Sequence, residues 1–277
     1  VGVLFGGLTS LLYGVGDYVG GRASRSGPAP GVVLIAGVVA LPLIAITALV
    51  VGGEATATDW SYGAISGSCG AIGLALLFAG LARGRAASVA PVAAAVGAVV
   101  PVVSGVVLGE RPSLLAWTGV ALAIPAIVMC SWGPSTTDTV KGGGAWYGVV
   151  AGILFGSYTV IISRTGAASN LLPLIPARGA TIVVMLALGL GGAWKLRKVR
   201  DIPLGLAAAH GLLDVAGNVA LLLGLRVGSL VSVSMAASVT PAVTVAIARF
   251  VDREHLRPVQ VAGVFLTLVA LALIAAG

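Results

Sequence analysis

In the stretch HGLLDVAGN, His210, Asp214 and Asn218 follow one another at every fourth position, the spacing that sets three polar side chains along one slowly drifting helix face. An imidazole, a carboxylate and an amide in one file can hold a proton, a cation or the polar end of a ligand. A counter-charge is available in Arg178, which stands inside an otherwise apolar run. Two readings of Asp214 stay open: a structural ion pair with Arg178, or a carboxylate that titrates or touches a ligand. They are compatible if a ligand group approaching Arg178 loosens its hold on Asp214.

A second carboxylate, Asp17, lies in LLYGVGDYVGGRA with Tyr13 one turn before it and Tyr18 directly after it. On a helix it shares a face with Thr9, Tyr13 and Gly20. It either lines an internal path or snorkels toward Arg22 at a membrane edge. Tyr13, Tyr18, Phe155 and Tyr158 are the aromatics available to stack on a ligand, or else ordinary packing residues.

The elements that must position these groups follow from composition. With 58% hydrophobic and 9% charged residues and a mean hydropathy of +1.09, the chain reads as an all-α integral membrane protein and not as a soluble domain. A hydrocarbon core about 30 Å thick takes about 20 apolar residues per helix. Polar breaks then mark ten candidate spans: 3–21, 31–52, 60–82, 86–108, 113–131, 144–163, 171–193, 203–225, 229–250 and 257–277. The long apolar runs do not alternate with period two, which argues against a β-barrel. Trp60, Trp117, Trp132, Trp146 and Trp194 fall at or near span ends, where an indole is expected to be half wet. No basic leader or A-x-A cleavage pattern accompanies the first span, so it is expected to be a structural helix.

The chain also repeats itself. Shifted by about 144 positions, residues 75–124 lie over 219–268, with Gly80 on Gly224, Gly84 on Gly228, Ser88 on Ser232, Glu110 on Glu254 and Gly119 on Gly263. A shift of about 142 lays Tyr13-Gly14 over Phe155-Gly156, Arg22 over Arg164 and Asp17 over Thr159. Two five-span halves follow, 1–135 and 145–277, joined by a linker at 136–144. Because five is odd, the second half must enter the membrane the opposite way round, as an inverted repeat with a site expected near the midplane between the halves.

The aromatic-glycine pair in the first helix of each half, and the Glu110-Arg111 and Glu254-His255 pairs nine residues before Gly119 and Gly263, resemble the drug/metabolite transporter superfamily, EamA type. The resemblance spans essentially the whole chain. It implies a ten-helix carrier of a small metabolite, amino acid or drug in the cell membrane, often an exporter, with protons as a candidate coupling partner. The family's first-helix tryptophan is replaced here by Tyr13 and Phe155, and its proline before the glutamate is Pro241 in the second half but Gly97 in the first. The expected cavity is lined by the first, third, sixth and eighth helices. The substrate-binding or coupling residues expected are Asp17, Tyr13, Tyr18, Phe155, Tyr158, Thr159, Arg178, His210, Asp214 and Asn218.

Other chemistries fit less well. GVGD at 14–17 matches the GxGD string of intramembrane aspartyl proteases, with Asp214 as the second aspartate, but those enzymes carry their other aspartate upstream. A cation channel of the same superfamily would want rings of carboxylates, and Arg178 argues against it. No P-loop lysine, H-E-x-x-H or paired cysteines occur, so neither an enzyme nor a bound metal or cofactor is expected. Cys69 and Cys130 read as small buried hydrophobes, and Glu110 and Glu254 as caps of the helices they head. A monomer or a homodimer is compatible with all of this.

The net charge of +7 needs no nucleic-acid partner, since KLRKVR at 195–200 reads as a solvated loop facing anionic headgroups. Connections after odd spans hold twelve basic residues: Arg22, Arg25, Arg83, Arg85, Lys141, Lys195, Arg197, Lys198, Arg200, Arg249, Arg253 and Arg257. Those after even spans hold three, Arg111, Arg164 and Arg226. The basic side stays cytoplasmic, which puts both termini outside, whereas the family resemblance implies the reverse. On the charge reading, a fluorescent protein fused to the C-terminus stays dark; fluorescence in the cytoplasm would overturn it.

Overall fold

The computed structural model describes residues 1–82, 86–130, 145–251 and 258–276, and among them the chain forms eleven α-helices and no strand. The first half contributes α1 (Gly2–Ala23), α2 (Ala29–Val51), α3 (Ala57–Ala82), α4 (Ala86–Val107) and α5 (Leu114–Cys130). The second contributes α6 (Ala145–Ser163), α7 (Leu174–Leu190), α8 (Leu204–Val227), α9 (Leu230–Ala237), α10 (Thr240–Val251) and α11 (Pro258–Ala276). Arg83, Arg85, Trp132, the linker 136–144 with Lys141, Arg253, Glu254 and Arg257 lie outside the described residues.

The span expected at 229–250 is two helices, α9 and α10. Pro241 has no N–H to offer the carbonyl of Ala237, which instead accepts the Thr240 hydroxyl at 2.8 Å. One turn earlier, the Ser238 N–H closes α9 on the carbonyls of Ser234 and Met235. Among the described residues, four helices are long and apolar enough to cross a membrane, at Ala29–Val51, Ala57–Gly80, Trp146–Ser163 and Leu204–Val227. Large apolar side chains also point outward: Val50 is 82% exposed, Phe265 69% and Val183 65%. That is an unfavourable surface in water and the natural one in hydrocarbon.

The main helix pairings recur when the halves are exchanged. α1 packs on α8, α9 and α10, while α6 packs on α3 and α4; α2 meets α8 as α7 meets α3; α5 meets α11. Single contacts obey the same exchange. Gly211 of α8 crosses α2 at Ala36, where a Cβ on the glycine would lie 2.8 Å from the alanine Cα, and Gly67 of α3 crosses α7 at Ala177 in the same way. The Tyr13 ring lies on Gly217 as the Phe155 ring lies on Gly73, and Gly14 abuts Val243 as Gly156 abuts Val100. Lipid offers no hydrophobic drive to association, so close backbone approach at small residues supplies the contact energy.

Two ends of the bundle can be told apart. At one, which we call the first face, Gly2 touches Gly228, the 52–56 connection meets residues 166–170, and Glu110 reaches α9. At the second face, Ile202 packs on Gly27 and Gly31. The KLRKVR segment is a 3-10 turn, Leu196–Asp201, whose Val199 also rests on Gly31 while Lys195, Arg197, Lys198 and Arg200 stay exposed. Two expectations change. Glu110 does not cap its own helix, which starts on the Ser113 hydroxyl; it accepts the Leu230 and Val231 N–H groups at 2.7 and 3.0 Å and so caps α9 in the other half. Trp194 is 8% exposed, not half wet, because its indole N–H donates to the Met185 carbonyl at 3.1 Å.

Gly211→Val should lower the thermal unfolding midpoint of the purified protein, at an overpacking cost of about 1–3 kcal/mol. Gly7→Ala, with nothing within 4 Å of the added methyl, should leave it unchanged. Equal midpoints for the two variants would contradict the close-crossing account.

Candidate functional site

The i, i+4, i+8 file on α8 places His210, Asp214 and Asn218 toward α1, α6 and α7. Asp214 forms an ion pair with Arg178 of α7, the two side chains only 15% and 12% exposed. One turn along α8, Asn218 meets the first helix of both halves. Its Oδ1 accepts the Tyr13 hydroxyl of α1 at 2.9 Å and also the Tyr158 hydroxyl of α6, and its Nδ2 donates to the Asp214 carbonyl at 2.6 Å. The first helix of each half thus places a tyrosine hydroxyl on the same oxygen atom. Charge and hydroxyls sit together: Tyr13 lies within electrostatic reach of Asp214, Arg178 and Asp17.

His210 and Asp17 flank the cluster. His210 Nδ1 is 2.9 Å from the Gly16 carbonyl, which can only accept, so this nitrogen carries the proton. Its Nε2 is buried without a hydrogen-bond partner, and the ring meets the edge of Phe78 at a centroid distance of 5.4 Å. Asp17 is half-buried on the Tyr13 face of α1, close enough to interact with the charge of Asp214.

The remaining candidates go elsewhere. Tyr18 accepts from Arg22 Nη1 at 2.9 Å, with the guanidinium 5.8 Å from its ring centre, at the end of α1. Phe155 packs into the apolar core beside α3. The Thr159 hydroxyl turns back to the Phe155 carbonyl at 3.1 Å. The polar cluster therefore draws on α1, α6, α7 and α8, while α3 supplies Gly70 and Gly73 as flat beds for the Tyr158 and Phe155 rings. A groove of about 330 Å³ between α1, α2 and α8, lined by Phe5, Leu8, Leu43, Val215 and Leu223 among others, is apolar and touches none of the polar cluster.

On the first-face side of the cluster, Ile44, Ile162, Leu174 and Leu222 form a buried apolar plug. Above it lies a polar network absent from the sequence reading. Asp59 accepts the Gly166 N–H at 2.6 Å, the Thr56 N–H at 2.8 Å and the Thr56 hydroxyl at 2.7 Å. Arg226 donates to the Thr165 carbonyl and hydroxyl, to Ser169 Oγ and to the Asn170 carbonyl. The signal available in the sequence is Thr56-x-x-Asp59 ahead of an apolar run, which is a capping-box spacing. Nothing local points to the loop it binds.

Comparison with known proteins assigns the family. No curated protein matches the chain at a significant level. A solved structure described only as "Crystal structure of protein" superposes with a TM-score of 0.72 over 98% of this chain and 95% of that one, at 13% identity, a likeness of fold alone. The profile of the EamA-like transporter family matches twice, at residues 1–132 and 142–276. The duplicated match, the apolar helices and the exchange of contacts between halves agree: the chain is a multi-pass membrane protein and belongs to the EamA-like transporter family of the drug/metabolite superfamily.

Proposed function

We propose that the chain is a secondary carrier that moves a small metabolite, amino acid or drug across the cytoplasmic membrane by alternating access. The two halves, 1–135 and 145–277, act as inverted five-helix repeats, and the carrier works as an exporter coupled to protons. The observation that carries this reading is the buried Arg178–Asp214 ion pair, one helical turn from Asn218, whose amide oxygen accepts a hydroxyl from the first helix of each half. A ligand carboxylate arriving at Arg178 competes with Asp214 for the guanidinium. The freed carboxylate is then a buried charge without its partner, a deficit that a coupled proton makes good. Reciprocity follows, since proton and ligand must change each other's affinity by the same factor.

The same pair weighs against the other readings. A cation pathway is poorly served by an aspartate already neutralised by arginine, with an apolar plug beside it. A proton-sharing aspartate dyad needs both carboxylates free for each other, and Asp214 is engaged by Arg178. Asp17 then serves as a second acidic contact for a ligand amine, which makes small zwitterions the first compounds to screen.

A thermal-shift screen of amino acids, amines and organic anions supplies a ligand for liposomes under an imposed pH gradient. Removing one partner of a buried pair costs about 3–5 kcal/mol, so Asp214→Asn is tested beside the neutral pair Arg178→Gln/Asp214→Asn. Both should fail to accumulate ligand in response to pH, while wild type accumulates it. Accumulation by a folded Asp214→Asn variant would remove the coupling role from Asp214, and loss of accumulation in Asp17→Asn alone would transfer it to Asp17.

A further inference from the structure

We infer that the Thr165–Gly166 peptide is the lock that holds the first face of the carrier shut, gripped at its carbonyl by Arg226 and at its N–H by Asp59. The two bonds belong to one peptide unit: Arg226 Nη1 donates to the Thr165 oxygen, and the Gly166 N–H donates to Asp59 Oδ1 at 2.6 Å. A guanidinium and a carboxylate thus polarise the same amide from opposite ends, each through a charge-assisted hydrogen bond. This is an ion pair with a peptide as its bridge.

The lock joins the halves. Asp59 sits in the first turn of α3, while the peptide and Arg226 belong to the second half. Thr56 fixes the carboxylate by a reciprocal bond, its hydroxyl also accepting the Asp59 N–H at 3.2 Å. Two further bonds tie the same loops: Glu54 N–H to the Ala168 carbonyl at 2.8 Å and Asn170 Nδ2 to the Gly52 carbonyl at 3.1 Å. Beneath them Ile162, 0% exposed, belongs to the plug that separates this face from the Arg178–Asp214 pair. On the second face, the corresponding connections meet through Ile202 on Gly27, an apolar contact. If the first face opens, the 164–173 connection must leave α3, and the Asp59–Gly166 bond breaks together with the two loop bonds; Arg226 orients the peptide for it.

This rests on the alternating-access reading, and the test separates the two. Ile162→Cys in a Cys69→Ala/Cys130→Ala background is labelled with a membrane-impermeant maleimide, in purified protein without ligand or gradient. Asp59→Asn and Arg226→Met should each raise the labelling rate about tenfold, the scale of one charge-assisted hydrogen bond. The double variant should label no faster than the faster single one, since both act on one peptide. The charge exchange Asp59→Arg/Arg226→Asp should stay fast, because an N–H cannot bond a guanidinium nor a carbonyl a carboxylate. Thr56→Val, which keeps both charges, should also raise the rate and covers the case where a charge variant does not fold. Parental rates in the folded single variants, or slow labelling restored by the charge exchange, would overturn the lock. Labelling that follows this pattern in a protein that moves no ligand in liposomes sinks the carrier reading instead.

Discussion

An ion pair buried inside a membrane bundle dictates much of what surrounds it. Arg178 and Asp214 are each largely hidden from solvent, and charges at that depth persist only with a partner and with their remaining hydrogen-bonding capacity met. The pair therefore needs polar neighbours brought from other helices. Asn218, one turn along the same helix, holds two hydroxyls beside it, those of Tyr13 and Tyr158, on its amide oxygen. Those hydroxyls come from the opening helices of the two halves, so the polar surround of the ion pair is also a place where the repeats are linked.

The backbone obeys an exchange of halves that the side chains break. Gly211 against Ala36 and Gly67 against Ala177 fix the correspondence. On that register Arg178 answers to Gly37, Asp214 to Gly70, Asn218 to Leu74 and Tyr158 to Gly16. Where the second half carries charge, the first carries glycine. Volume explains the trade, because the Tyr158 ring lies on Gly70, and a side chain there as large as its counterpart Asp214 would occupy the ring's place. A single polar site on a two-fold frame results. Among the described residues, the first face is joined by the polar contacts of Asp59 and Arg226, and on the second Ile202 packs on Gly27 and Gly31.

Much of this was visible in the sequence because period and composition are local signals. Helix positions followed from runs of apolar residues, and the pairing of Tyr13 with Phe155 from the repeat. The Arg178–Asp214 pair was foreseeable because charge is scarce in this chain and each buried charge must find another. What failed to show was of two kinds. The break in the ninth span depends on how one carbonyl, that of Ala237, is satisfied once Pro241 withholds its N–H, and hydropathy is blind to this. The partners of Glu110 and Asp59 are backbone N–H groups, which have no residue identity to read. Trp194 is hidden for the same reason, its partner being the Met185 carbonyl.

Asp59 and Asp214 show how one residue type takes two roles by address. Asp59 stands in the first turn of a helix, where N–H groups are unpaired and the dipole favours an anion; its oxygens are filled by a capping box and one foreign peptide. Asp214 stands in the interior of α8, where every backbone N–H is already bonded along the helix, so only side chains can satisfy its carboxylate. A carboxylate held by backbone competes with no soluble ligand, since no solute carries that peptide in that place. A carboxylate held by a guanidinium competes with any carboxylate small enough to enter. The chemistry of the partner therefore separates closure from recognition: the peptide-bonded aspartate belongs to the frame, and the arginine-bonded one is where a ligand can intervene.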